Sequence, residues 1–191
     1  MKRKNKKNNK QGFSFIEVLV SVLLVSVGLM AAVSLISSNL KRTINNRNQS
    51  IAGLLAQEGN ELVINVRDSN IRNGNESFDP IRFPVVNSYN CVIDPNVVSA
   101  GVNLGSLCAQ SIEEETLYYY SDPKGYYHDF YSGEKKKTQF KRKINLVFIG
   151  TTSMRVTSMV IWDKTLFPVV SDCNSATKCA YAQTTLTNWK E

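Results

Sequence analysis

Gly12-Phe13-Ser14-Phe15-Ile16-Glu17-Val18 is the stretch on which the reading of this chain turns. Ahead of it lies a basic head, with Lys2, Arg3, Lys4, Lys6, Lys7 and Lys10 and no acid. Behind it, residues 18–40 carry no charged side chain. At about 1.5 Å per helical residue this run reaches roughly 35 Å, enough to cross a hydrocarbon core of about 30 Å. Glu17 stands just inside the apolar boundary, where a carboxylate costs about 1–3 kcal/mol of insertion energy, depending on depth. Something has to compensate that cost, and the function hangs on what it is.

Ordinary export signals do not fit. A secretory signal peptide shares the basic head, but its apolar core runs about 7–15 residues and cleavage follows the core. Here the core is longer, and Ala32-Val33-Ser34 is a poor small-residue cleavage site. No cysteine precedes Cys91, which excludes a lipoprotein signal. A plain uncleaved anchor explains the length and the basic flank but leaves Glu17 unexplained. Lysine and arginine beside the first apolar segment hold that end in the cytoplasm, so the chain from about Lys41 onward is expected outside the membrane.

The order of basic head, glycine, aromatic residue, glutamate and long apolar helix resembles the type IV prepilin signal of pilins and of type II secretion pseudopilins. Gly12, Phe13 and Glu17 match that pattern position by position, while Phe15 stands where leucine is more usual. The resemblance implies that a membrane aspartic peptidase, the prepilin peptidase, cuts between Gly12 and Phe13 on the cytoplasmic side. The same enzyme would methylate the new amine of Phe13. That positive amine can pair with Glu17 of an axially offset neighbouring subunit or, four residues away, with Glu17 of its own chain; the expectation is the intersubunit pair, with Glu17 as the assembly contact. The domains expected are a cleaved leader at 1–12, a transmembrane and filament-core half of the helix at 13–40, and an exported head at 41–191.

Net charge alone misleads. The value of +7 invites a nucleic-acid reading, but six of the 23 basic residues lie in the leader. The remaining 17 stand against 16 acids, a net charge of +1. The four cysteines, Cys91, Cys108, Cys173 and Cys179, all fall in the expected exported part, an even number in an oxidising compartment. Four cysteines allow three pairings. Joining sequence neighbours, Cys91 to Cys108 and Cys173 to Cys179, closes the shortest loops. A metal site would need closer spacing or more than the one histidine, His128, so no metal is expected.

Along the chain, Ile44, Ile51, Leu55, Leu62 and Val66 repeat at steps of seven and four and share a helical face. Lys41, Arg42, Arg47, Asn48, Glu58 and Glu61 are expected on the other faces. One helix over about 14–66 follows, apolar in its first half and amphipathic in its second. Gly53 and Gly59 each weaken it by about 1 kcal/mol, so its second half needs packing. Residues 68–84 read as a loop, and 85–116 as irregular with a short strand near 89–93. Strands at 117–121 and 126–132 flank Asp122-Pro123-Lys124-Gly125, a good turn sequence. From Thr138, Phe140, Ile144, Leu146 and Phe148 face one way and Lys141, Lys143 and Asn145 the other. Met154, Val156, Val160 and Trp162 repeat that period after a turn at 150–153, and a last strand lies near 181–189. The expected class is α+β, a long N-terminal helix packed on a C-terminal antiparallel sheet, which resembles the pilin fold as a whole.

No catalytic residues, cofactor or enzyme motif emerge: there is no Gly-rich phosphate loop, no Gly-x-Ser-x-Gly and no His-Glu-x-x-His. His128, flanked by Tyr127 and Asp129, reads as a surface residue. Lys135-Lys136-Lys137 and Lys141-Arg142-Lys143, near tyrosines 118–120, 126 and 127, have the residue types of a single-stranded nucleic-acid surface. Charge runs are more often a solvated strand face, and that is the expectation here. The reading is a minor pilin, a structural subunit without catalysis of its own. It would be a single-pass membrane protein with a cytoplasmic N-terminus, and then part of an extracytoplasmic filament. The partners implied by the resemblance are other pilin subunits, the prepilin peptidase and an inner-membrane assembly platform. A type II secretion pseudopilin is one alternative. A membrane-anchored extracytoplasmic binding domain that never assembles is the other.

Overall fold

A computed structural model describes residues 14–74, 78, 88–95, 108, 116–121, 124–128, 134–149 and 152–188. The chain divides into two compact units, Met1–Ile44 and Asn45–Glu191. Helix α1, Phe15–Arg72, is 58 residues long, so the helix runs six residues past the end expected at Val66. Asn73 and Gly74 end it: the Gly74 N–H donates to the carbonyl of Ile71, and Gly74 takes a φ of 80° that a side chain would resist. The rest of the expected loop falls largely outside the described residues.

In the first unit, every described residue, 14–44, is exposed. The polar side chains in this segment make few demands. Ser21 Oγ donates to the carbonyl of Glu17 at 2.7 Å, Ser26 Oγ to Leu23 at 2.8 Å, and Thr43 Oγ1 to Asn39 at 2.9 Å. Each of these three hydroxyls is satisfied by its own helix, so it adds little to the cost of an apolar environment.

The second unit is the α+β layer pair. Its strands are β1 Ser88–Cys91, β2 Thr116–Ser121, β3 Lys124–Tyr127, β4 Lys135–Ile149, β5 Ser153–Trp162 and β6 Cys179–Thr187. All pairings are antiparallel in the order β3-β2-β4-β5-β6. The 15-residue β4 organises the sheet: its first part pairs with β2, its later part with β1, and β5 runs along its other edge. The hairpin between β2 and β3 is tighter than its turn sequence implies, because Lys124 already pairs with Ser121 in the ladder.

Alternation on β4 and β5 puts one row of side chains against the helix. Two apolar clusters result. Ala52, Leu55 and Ala56 pack with Leu117, Phe140, Val160 and Trp162. Leu62, Val63 and Val66 pack with Ile144, Leu146, Met154, Val156 and Leu186. Full burial of a Val, Leu, Ile, Phe or Met side chain stabilises by about 1.5–3 kcal/mol. The buried helix face holds the expected Leu55, Leu62 and Val66, with Ile51 half-buried, and departs from the expected one at three positions. Ile44 is 60% exposed, whereas Asn48 and Gly59 are buried. Small residues at 52, 56 and 59 let the helix approach the sheet closely, and large apolar residues alone do not mark such a face. The opposite face of the sheet carries a smaller cluster, Met159, Ile161 and Cys179, with Phe167 and Cys173 packed against it.

Candidate functional site

In the first unit, Glu17 lies in the first turn of α1, and its neighbours Phe15, Ile16 and Val18 are exposed apolar side chains. Exposed Val, Leu, Ile and Met side chains continue to Leu40. An 18-residue window here has a mean hydropathy of 2.6, so α1 is long and apolar enough to cross a membrane. A carboxylate at the start of a helix is favoured by the helix dipole, worth about 0.3–1 kcal/mol, which offsets only part of the cost of placing it in an apolar layer. Gly12 and Phe13 lie outside the described residues.

The second unit holds an ionic cluster that alternation hides. Arg142 is fully buried between the two apolar clusters, on the same side of β4 as Phe140 and Ile144. Its Nη1 donates to Glu58 Oε2 at 2.9 Å, and its Nη2 to Ile93 O at 2.9 Å and Asp94 Oδ1 at 3.2 Å. Asp94 is also buried. It accepts from the His128 backbone N–H at 2.8 Å, and its Oδ1 lies 2.6 Å from His128 Nδ1. An ionised carboxylate only accepts, so Nδ1 carries the proton in this pair. His128 is thus a buried residue and not the surface one expected. Arg142 is likewise not part of a solvated basic strip. The signal was present in its parity: it sits at an inward position, midway between Phe140 and Ile144.

This cluster is structural chemistry. A buried guanidinium with two carboxylates and a carbonyl replaces its lost hydration with charge-assisted hydrogen bonds. It joins α1, the segment carrying Ile93 and Asp94, and β4. Among the described residues, no group of three His, Cys, Asp or Glu side chains is placed to hold a metal ion. The cysteines pair as Cys91–Cys108 and Cys173–Cys179. The second bridge closes a loop that Asn174 shapes locally, its Oδ1 accepting from the N–H groups of Ala176 and Thr177.

One family model matches the chain, over residues 7–33, described as the prokaryotic N-terminal methylation motif. This is the prepilin signal of type IV pilins and pseudopilins. Neither a curated protein nor a solved structure matches the chain. The match spans Gly12, Phe13, Glu17 and the first part of the apolar run. A prepilin signal supports processing as a type IV pilin-like or pseudopilin protein and points to a structural subunit, not an enzyme. It implies, in general terms, a prepilin peptidase and assembly with other pilins. With the apolar N-terminal helix, it argues for membrane anchoring before assembly.

Proposed function

We propose that this chain is a minor pilin, a non-catalytic subunit of a type IV pilus-type filament, cut between Gly12 and Phe13 and methylated on the Phe13 amine. The observation that carries the proposal is Glu17. It is the one charged residue in an otherwise uncharged apolar segment inside a prepilin signal, and it is exposed in the isolated chain. A carboxylate there gains most from a cation supplied by another copy, and processing creates that cation on Phe13. The leader residues 1–12 are then removed, 13–40 serve as membrane anchor and later as filament core, and 41–191 form the extracytoplasmic head. An inner-membrane platform is the expected partner that lifts the anchored subunit into the filament. Two disulfides in the head separate it from a major subunit with a single C-terminal bridge, by analogy with the family.

Mass analysis of the membrane-extracted protein tests the processing. A mature chain starting at N-methylated Phe13 is expected. A chain starting at Met1 removes the subunit reading and leaves an anchored binding domain. Co-purification with a secretion machinery in place of a pilus would move the chain to the pseudopilins, which share the signal.

A further inference from the structure

We infer that the groove between the 47–51 turn of α1 and the β2–β3–β4 end of the sheet binds single-stranded nucleic acid. The cavity here measures about 560 Å³. Its lining holds three cations, Arg47, Lys136 and Lys137, and no carboxylate. Strand register supplies the rest of the chemistry. Tyr119 stands opposite Tyr126 on one side and Lys136 on the other, which sets two rings and an ammonium in one row across three strands. The two rings meet edge to face, with centroids 5.4 Å apart, and Tyr119 remains 39% exposed. Rings for bases and cations for phosphates are the two requirements of a single-strand site.

Continuity argues for a polymer and against a free nucleotide. A second cavity of about 550 Å³ shares Lys137, Thr138 and Gln139 with the first and adds Lys141 and Lys164. The one acid in its lining, Asp163, is already bonded by Lys178 at 3.0 Å. Cations therefore follow one another from Arg47 to Lys164 across the start of β4. A single nucleotide would occupy one cavity and leave the other unused. An acidic polymer without rings would use the lysines and leave Tyr119 idle. The site belongs to the Asn45–Glu191 unit and stands whether or not the chain assembles.

The test is fluorescence anisotropy with the mature full-length chain in detergent. The probes are an oligothymidylate of about 20 nucleotides, a duplex of the same length, and inorganic polyphosphate. The oligothymidylate is expected to bind at least about tenfold more tightly than polyphosphate at equal salt, because only it can stack. Lys136→Gln with Lys137→Gln should lower the slope of log affinity against log salt by about 1.4, the share of two phosphate contacts on a single strand. Tyr119→Leu should weaken binding about tenfold without altering that slope, while Tyr119→Phe, which keeps the ring, should retain binding. Arg155→Gln, exposed on β5 and outside both cavity linings, should have no effect, and thermal melting checks that each variant is folded. Equal affinity for polyphosphate, a silent Tyr119→Leu or preference for the duplex would each overturn the assignment. So would absence of binding to all three probes.

Discussion

At Gly59 a Cβ would stand 2.2 Å from Ser158 Oγ, 3.0 Å from Ser158 Cβ and 3.3 Å from Arg142 Cδ. Ser158 and Arg142 are both fully buried, so neither can move aside cheaply. Gly53, on the same helix, has nothing within 4 Å of the corresponding position. The two glycines look equivalent in sequence, each lowering helix propensity by about 1 kcal/mol, and packing separates them. Gly53→Ala should raise stability by about 0.5–1 kcal/mol. Gly59→Ala should lower it by about 1–3 kcal/mol through overpacking, despite the better helix former. Urea unfolding of the two variants checks the opposite signs. Arg142 makes the second residue-scale case. Arg142→Met strips Asp94 of its cation while leaving it buried, and should cost about 3–5 kcal/mol. Glu58 is the more exposed partner, at 37%, so Glu58→Gln should cost under about 1 kcal/mol. Equal losses in the two variants would mean that the cluster is held by Glu58 and not by the buried Asp94.

Among the elements, the two bridges differ in what they close. Cys91–Cys108 spans 17 residues and ties the end of β1 to a distant segment, whereas Cys173–Cys179 spans six and ties a surface loop to the start of β6. On the chain-entropy model the longer closure stabilises by about 3 kcal/mol and the shorter by about 2 kcal/mol. Cys91→Ser with Cys108→Ser should therefore lower the melting midpoint more than Cys173→Ser with Cys179→Ser. Calorimetry of the two double variants gives the order directly. The elements were legible where a period is long and simple: α1, and the β4–β5 hairpin with its inward rows Phe140, Ile144, Leu146 and Met154, Val156, Val160. They were less legible where tertiary contact overrides local pattern. Turn residues suggested that the helix ends at Val66, yet it continues to Arg72, because Asp68, Ser69 and Asn70 are tolerated in a helix whose last turn closes on Gly74. His128 and Arg142 carry surface chemistry by type and are buried because Asp94 lies between them. No local window of sequence contains that three-way meeting.

At the scale of the whole molecule the decisive residue is again Glu17, since the prepilin signal was readable in the sequence while the contact proposed for Glu17 would require a second chain. Glu17 lies four residues from Phe13 in sequence, so the amine created by cleavage could pair with Glu17 of its own chain or with that of an axially offset neighbour. The two arrangements differ in what breaks when the acid is removed. An internal pair lost by Glu17→Ala weakens anchoring in the membrane and leaves subunit contacts intact. An intersubunit pair lost by the same change leaves an uncompensated Phe13 amine in the apolar interface of every subunit, a cost of about 3–5 kcal/mol per contact. Repeated along a filament, that cost excludes the variant from the polymer. The second arrangement is the one that follows from the proposed function, in which the apolar halves of neighbouring helices pack together. Glu17→Ala should accordingly be cleaved at Gly12, methylated and recovered in the membrane at normal levels, and be missing from sheared filaments. Alanine is the sharper substitution, since lysine would add repulsion and fail for more than one reason. Recovery of a processed Glu17→Ala chain in filaments at the wild-type level would show that Glu17 is not the assembly contact, and would leave its place in the apolar segment to be explained by recognition at the peptidase alone.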